Sequence, residues 1–146
     1  MKIDFSKTMS TDHARCVALL SKVRARSAEW PTEWARAKAA GNQKLMKTLL
    51  IDAEALALAE KTLQHLEIKM RTELLRREHS VNRIMIEQTA KREEQAGTEF
   101  SKRLALKYQR AALEDERKRI NQQTVRMGMD YLRLRMNDLT AGGVTR

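Results

Sequence analysis

The sequence is poor in residues that interrupt helices and in bulky aromatic residues. Its 146 residues include one proline, five glycines, two tryptophans, two tyrosines and two phenylalanines, whereas 33% are charged. This balance favours helix over strand at nearly every position. So few large apolar side chains also disfavour a compact core. The composition therefore predicts an all-α protein that is elongated, has a thin core and completes its burial against partners.

Cysteine and long apolar runs are also scarce. Cys16 is the only cysteine, which excludes a disulfide within the chain and gives no sign of an oxidising compartment. The opening residues MKIDFSKTMSTDHARC lack the continuous apolar segment of a signal peptide. No later stretch approaches the run of about 18 apolar residues that crosses a bilayer. We therefore expect no stable membrane insertion and a location in the cytoplasm, or in a virion.

No motif for catalysis, a cofactor or a metal ion occurs in the sequence. It has no glycine-rich phosphate loop, no Gly-x-Ser-x-Gly elbow and no His-Glu-x-x-His pair. His13 and Cys16 lie one helical turn apart, but two ligands do not complete a structural zinc site. The carboxylates belong to mixed-charge helical runs, whereas a catalytic pair needs a concave, partly desolvated site. We therefore expect no enzymatic activity, no catalytic residue, no cofactor and no bound metal.

The chain is strongly basic, with a formal net charge of +10. Nucleic acid, anionic lipid and acidic protein surfaces all suit such a chain as partners. Arg117, Lys118 and Arg119 are candidate contacts for nucleic-acid phosphates. However, Glu114 and Asp115 lie four residues before two of these cations, which is the spacing of ordinary ion pairs along a helix. The sequence therefore favours a solvated helix face here and keeps nucleic-acid binding as the second interpretation.

Helix signals divide the chain into two tails and two helical segments. The tails, predicted to be flexible, are residues 1–10 and 141–146. Residues 11–42 are predicted to form an N-terminal helical segment. Because the residue before a proline avoids the α region, Pro31 is expected to end or kink the helix at Trp30. Trp30 and Trp34 fall on one short apolar seam and are expected to be packing anchors.

The second helical segment, residues 43–140, is predicted to be a long antiparallel coiled-coil hairpin. Gly41 and Asn42, which precede it, tolerate the left-handed conformation that ends helices. Gly97 and Thr98 supply another helix end and the cap of a following helix, so we expect the chain to fold back near Gly97. An uninterrupted rod is the alternative, because a helix tolerates a lone glycine at a cost of about 1 kcal/mol.

Apolar residues are arranged in stripes on both helices of this hairpin. The first helix carries one stripe, with steps of three, four and seven: Leu49, Leu56, Leu63, Leu66, Met70, Leu74, Val81, Ile84 and Met85. The second helix carries a strict row with steps of seven: Leu106, Leu113, Ile120, Met127 and Leu134. A further row, broken only by Lys118, lies on a separate face: Leu104, Ala111, Lys118, Val125, Leu132 and Leu139. Two rows on one helix predict contact with two neighbours: the first helix of the hairpin, and either the N-terminal helix or another protein.

The end of the second helix, VRMGMDYLRLRM at residues 125–136, is the best candidate for a docking surface. It holds more apolar residues than one seam requires and several arginines with few acids nearby. Methionine-rich helical surfaces suit protein grooves, whereas Gly128 and Asp130 weaken the segregation that a membrane surface needs. The predicted partner-binding residues are Arg126, Met127, Met129, Leu132, Arg133, Leu134, Arg135 and Met136.

A basic chain of this length, with a fold-back near Gly97 and the mixed run RTELLRREHSVNRIMIEQTAKREEQ at residues 71–95, resembles a known family. It is similar in architecture to the stalk proteins of type III secretion and flagellar export, the FliJ/YscO family, over residues 43–140. The run SAEWPTEWARAKAAGN departs from the continuous first helix of that family. The resemblance implies an antiparallel coiled coil that inserts into the pore of a hexameric export ATPase and contacts the export gate and chaperones.

Two functions from different classes follow as hypotheses. The first is a non-enzymatic helical adaptor that docks into a larger cytoplasmic assembly, with the export stalk as its concrete form. The second is a basic nucleic-acid-associated protein, such as a phage internal or packaging component. The sequence leaves the oligomeric state open.

Overall fold

The computed structural model describes the backbone of residues 5–143 and the side chains of residues 10–140. This part of the chain forms three helices and no strand: α1 (Phe5–Ala39), α2 (Gln43–Gln95) and α3 (Phe100–Gly143). The all-α prediction is confirmed. The predicted tails lie partly outside the described residues, at 1–4 and 144–146. Residues 5–10 are helical, so the prediction of a tail up to residue 10 is wrong; FSKTMS contains no glycine or proline that would stop α1 from extending through it.

Helix α1 continues through Pro31 for a total of 35 residues. Of the two outcomes predicted for Pro31, an end or a kink of the helix, the end at Trp30 is therefore wrong. A proline inside a helix costs about 3 kcal/mol, and contacts on both sides of it offset this cost. The rings of Trp30 and Trp34 stack at a centroid distance of 5.4 Å, and the Trp30 indole donates a hydrogen bond to the Leu49 carbonyl at 2.6 Å. Both tryptophans are half-buried packing residues, as the sequence predicts.

The two turns between helices lie at the predicted glycines. Gly41 has φ +64° and Gly97 has φ +55°, a left-handed conformation that only glycine adopts at low cost. After the first turn, the Asn42 side-chain oxygen accepts a hydrogen bond from the Leu45 amide at 3.1 Å and so caps α2. After the second turn, the Asn82 amide nitrogen on α2 donates to the Leu113 carbonyl on α3 at 2.9 Å. The fold-back is thereby confirmed, and the uninterrupted rod is excluded.

The chain forms two compact units, and α2 contributes to both of them. In the first unit, residues 1–70, α1 packs antiparallel on the first part of α2. Residue numbers fall along α2 as they rise along α1. The contacts are His13 with Glu67 at 3.1 Å, Cys16 with the Leu63 carbonyl at 3.6 Å, Arg24 with Glu60 at 3.3 Å and Trp30 with Leu49 at 2.6 Å. The buried residues of this face include Cys16, Leu20, Ala37 and Leu49.

In the second unit, residues 71–146, the rest of α2 packs antiparallel on α3. The contacts again run in opposite directions along the two helices: Glu93 with Arg110, Asn82 with Leu113, Glu78 with Arg119, Thr72 with Met127 and Arg71 with Asp130. The α3 row predicted at intervals of seven supplies the core, because Leu113, Ile120 and Leu134 are buried.

The predicted apolar stripe of α2 is wrong at its second half. Val81, Ile84 and Met85 are exposed by 56%, 47% and 42%. The buried row at intervals of seven is instead Leu75, Asn82 and Thr89. Two members of this row are polar, so hydrophobicity alone does not reveal it.

Candidate partner-binding surface

Helix α3 presents two opposite sides, one buried in its own unit and one exposed. Five large apolar residues lie along the exposed side, where they alternate at steps of four and three as in a coiled-coil seam. We call them the α3 stripe: Val125, Met129, Leu132, Met136 and Leu139. Their exposed fractions are 63%, 52%, 59%, 66% and 71%. At about 100° per residue they fall within an arc of about 80° around the helix axis, opposite the side that holds Ile120 and Leu134.

Two residues of the predicted partner-binding set do not belong to this surface. Leu134 is only 8% exposed and packs inside its unit. Met127 is half-buried, and its sulfur accepts a hydrogen bond from the Thr72 hydroxyl at 3.1 Å. Leu134 is therefore not exposed to a partner, and Met127 is exposed only in part. Val125 and Leu139, which the predicted set omitted, lie on this surface instead. Both belong to the second apolar row of α3, with Leu132, so the sequence could have identified them.

The arginines of the predicted set flank the α3 stripe. Measured around the helix axis from the middle of the stripe, Arg126 and Arg133 lie about 80–100° away on one side. Arg135 lies about 80° away on the other side. Within the part of the chain whose side chains are described, none of the three has a carboxylate within 4.0 Å. Arg135 donates instead to the neutral Tyr131 hydroxyl at 3.2 Å. Positive charge therefore borders the stripe, and no carboxylate among the described residues neutralises it.

Asp130, the acid nearest in sequence to Arg126 and Arg133, is engaged elsewhere. Its Oδ2 accepts a hydrogen bond from Arg71 Nη1 on α2 at 2.7 Å. This ion pair is partly shielded from water, with 27% of the Arg71 side chain and 43% of the Asp130 side chain exposed. The pair ties α3 to α2 and takes the carboxylate away from the stripe.

The candidate nucleic-acid contacts lie farther toward the start of α3, where acids accompany the cations. Lys118 Nζ lies 3.8 Å from Asp115. Arg119 lies 3.4 Å from Glu116 and 3.9 Å from Glu78. Arg117 is exposed. Exposed pairs of this kind contribute little to stability, but they offset the local positive charge that phosphate binding would use.

Cys16 and His13, the residues that most resemble part of a metal site, are each satisfied within the first unit. Cys16 is buried and donates its thiol to the Leu63 carbonyl at 3.6 Å. Burial raises the pKa of this thiol, and the negative charge of Glu67 raises it further, so the reactive thiolate form is disfavoured. His13 Nε2 lies 3.1 Å from Glu67 Oε1. Among the described residues, no three His, Cys, Asp or Glu side chains are grouped so that they would hold a metal ion.

The fold defines the class of protein: all-α, built from antiparallel helical hairpins that share one long helix. Within the described residues, no helix contains an apolar stretch that would cross a bilayer. No protein-family model matches the chain, and no curated protein and no solved structure shows significant similarity to it.

Proposed function

We propose that the protein is a non-enzymatic helical adaptor that docks through α3 into a larger cytoplasmic assembly. The observation that carries this proposal is the α3 stripe, an exposed apolar seam on the side of α3 that faces away from its own core. Exposed apolar patches of this kind mark interaction sites, because their burial removes apolar surface from water. The four-three spacing suits a helix as the partner element.

The concrete form that we propose is a stalk protein of a type III export apparatus. The resemblance to that family rests on architecture: an all-α chain, a basic charge and a helical fold-back at Gly97. Its partners would be a hexameric export ATPase, the export gate or export chaperones. The α3 stripe is the surface through which such a partner would be held.

Site-specific photocrosslinking tests the adaptor proposal. A photoreactive residue is introduced at Leu132, within the stripe, and at Ser80, an exposed position on α2, in cells of the organism that encodes the chain. We expect one defined protein to be crosslinked from position 132 and not from position 80. No adduct from position 132, or the same adducts from both positions, would contradict the proposal. An adduct with a protein outside the export apparatus would retain the adaptor and reject the export stalk.

A nucleic-acid-associated protein, such as a phage internal or packaging component, is the second candidate. The net charge of +10 and the unneutralised arginines of α3 favour it; the acids beside Lys118 and Arg119 oppose it. A salt titration of binding to nonspecific duplex DNA separates the two. A log-log slope of several units supports nucleic-acid binding, whereas no retention on DNA at about 150 mM salt rejects it.

A further inference from the structure

We propose that the α3 stripe receives an acidic amphipathic helix of a partner protein. This inference rests on the proposed adaptor function and names the chemistry of its partner. The partner helix lays an apolar seam on Val125, Met129, Leu132, Met136 and Leu139 and places carboxylates against the flanking arginines.

The geometry of the stripe specifies a helix as the partner element. Residues 125–139 span about 21 Å along the helix axis at 1.5 Å per residue, which corresponds to two heptads of a partner. The steps of four and three keep all five side chains on a narrow line, as knobs-into-holes packing requires. Helices that lie on a membrane surface use a broader apolar face. The narrow stripe therefore favours a protein helix over an anionic bilayer.

The charge beside the stripe specifies that the partner helix is acidic. A helix seated on the stripe would cover part of Arg126, Arg133 and Arg135, and covering a charge without a partner is costly. Carboxylates at the flanking positions of the partner would meet these guanidinium groups in charge-assisted hydrogen bonds. No described residue of the chain already supplies such a carboxylate within 4.0 Å.

A second copy of the chain is a poor occupant for the same reason. The positions that flank the stripe, read in heptads, hold no carboxylate: Arg126, Arg133 and Thr140 on one side, and Asn121, Gly128 and Arg135 on the other. Two copies would therefore bring together two positive borders without an attractive pair. Nucleic acid is disfavoured as well, because phosphates do not cover exposed leucine and methionine.

The test uses the full chain and two synthetic helical probe peptides with the same leucine seam. One peptide has glutamate at the flanking positions and the other has lysine there. By fluorescence anisotropy, we expect the glutamate peptide to bind about tenfold more tightly than the lysine peptide. Because exposed charges are screened, raising the salt from about 0.05 M to about 0.5 M should weaken only the glutamate peptide.

Charge reversal at the stripe supplies the matched variant. The double substitution Arg126→Glu with Arg133→Glu should invert the preference between the two peptides. The control, Arg76→Glu with Arg83→Glu, makes the same charge change at two exposed positions of α2 and should leave the preference intact. Circular dichroism verifies that both variants keep their helix content.

Several results would overturn the inference. Equal binding of the two peptides, or no binding of either, rejects an acidic helix as the occupant. Binding to phosphatidylserine vesicles that Leu132→Asp abolishes, in a chain that binds neither peptide, assigns the stripe to a membrane. Sedimentation of a dimer that Leu132→Asp dissociates assigns it to a second copy. A specific crosslink from position 132 without a preference for the glutamate peptide keeps the adaptor function and rejects only the acidic partner.

Discussion

Asn82 is a buried polar residue in the seam between two helices. It is 4% exposed in the seam between α2 and α3, and its Nδ2 donates to the Leu113 carbonyl at 2.9 Å. Its Oδ1 has no hydrogen-bond partner among the described residues. A buried polar group with an unsatisfied atom costs stability. A single asparagine in an apolar seam also fixes the register of the helices.

The substitution Asn82→Leu should therefore stabilise the second unit while weakening its register. We expect the free energy of unfolding in urea to rise by about 1 kcal/mol, because an unsatisfied buried atom is removed. The distribution of distances between spin labels on α2 and α3 should become broader. Asn82→Ala is the control and should destabilise the chain, because it leaves a cavity. A loss of stability in Asn82→Leu would show that the amide contributes more than it costs.

The Arg26–Glu33 pair makes the stability of α1 depend on pH. Arg26 Nη2 donates to Glu33 Oε2 at 3.0 Å across Pro31. This hydrogen bond, with the positive charge of Arg26, lowers the pKa of Glu33 below its ordinary value of 4.5. Because the pKa is lower in the folded state than in the unfolded state, the pair stabilises the fold fully above about pH 4.5. This contribution is lost as the pH falls through the lowered pKa.

The comparison of Glu33→Gln with the unaltered chain tests this dependence. We expect Glu33→Gln to lower the thermal midpoint at pH 7. The difference between the two chains should shrink as the pH falls below about 4.5 and the carboxylate is protonated. Glu29→Gln, which changes a more exposed acid on the same helix, should show a smaller effect. A difference that stays constant from pH 7 to acid would mean that the ion pair does not act as described.

At Pro31, tertiary packing overrides a local signal that would end the helix. Pro31 cannot donate to the Ser27 carbonyl, yet α1 continues past it. The stack of Trp30 on Trp34 and the Trp30 bond to Leu49 hold both halves of α1 in place. The bond from Trp30 to Leu49 joins residues on two helices that a local sequence pattern does not connect.

The substitution Pro31→Ala should stabilise α1. It restores the backbone donor and removes the ring clash, and we expect a gain of about 1–3 kcal/mol in the free energy of unfolding, reduced by the greater freedom of the unfolded chain. Chemical denaturation followed by circular dichroism measures it. Thr32→Ala, at the next exposed position, improves helix propensity without restoring a donor and should gain less. An equal gain in both variants would show that the proline does not strain α1.

The helices differ in how well the sequence predicts them. The ends at Gly41 and Gly97 are predictable because glycine readily adopts the left-handed conformation that ends helices. The buried row of α3 is predictable because apolar residues recur every seven positions. The buried face of α2 is not, because Asn82 and Thr89 occupy it while Val81 and Ile84 stay exposed. Only the tertiary contacts with α3 decide between those faces.

The sequence predicts where on α3 the candidate surface lies but not which residues are exposed on it. Residues 125–136 stand out by their excess of methionine, leucine and arginine. Both apolar rows of α3 pass through this stretch with similar hydrophobicity, so the sequence does not say which row faces the core. The structure assigns Met127 and Leu134 to the inner side and leaves Met129, Leu132 and Met136 exposed.

The positive charges of the chain, whose net charge is +10, are unevenly compensated by acids. Carboxylates accompany cations in both units, as in Arg24 with Glu60 and Arg119 with Glu78. Beside the α3 stripe, the cations have no such acids among the described residues. The distribution of charge, more than its total, therefore supports the proposal that a partner binds at the α3 stripe.

Crosslinking efficiency tests whether the α3 stripe holds the partner, as we propose. A photoreactive residue at Met136 is combined either with Leu132→Asp, inside the stripe, or with Val81→Asp, at an equally exposed apolar position of α2. We expect Leu132→Asp to reduce the yield of the crosslinked partner about tenfold or more, because a carboxylate replaces a buried apolar contact in the complex. Val81→Asp should leave the yield unchanged. Equal yields in the two variants would contradict the claim.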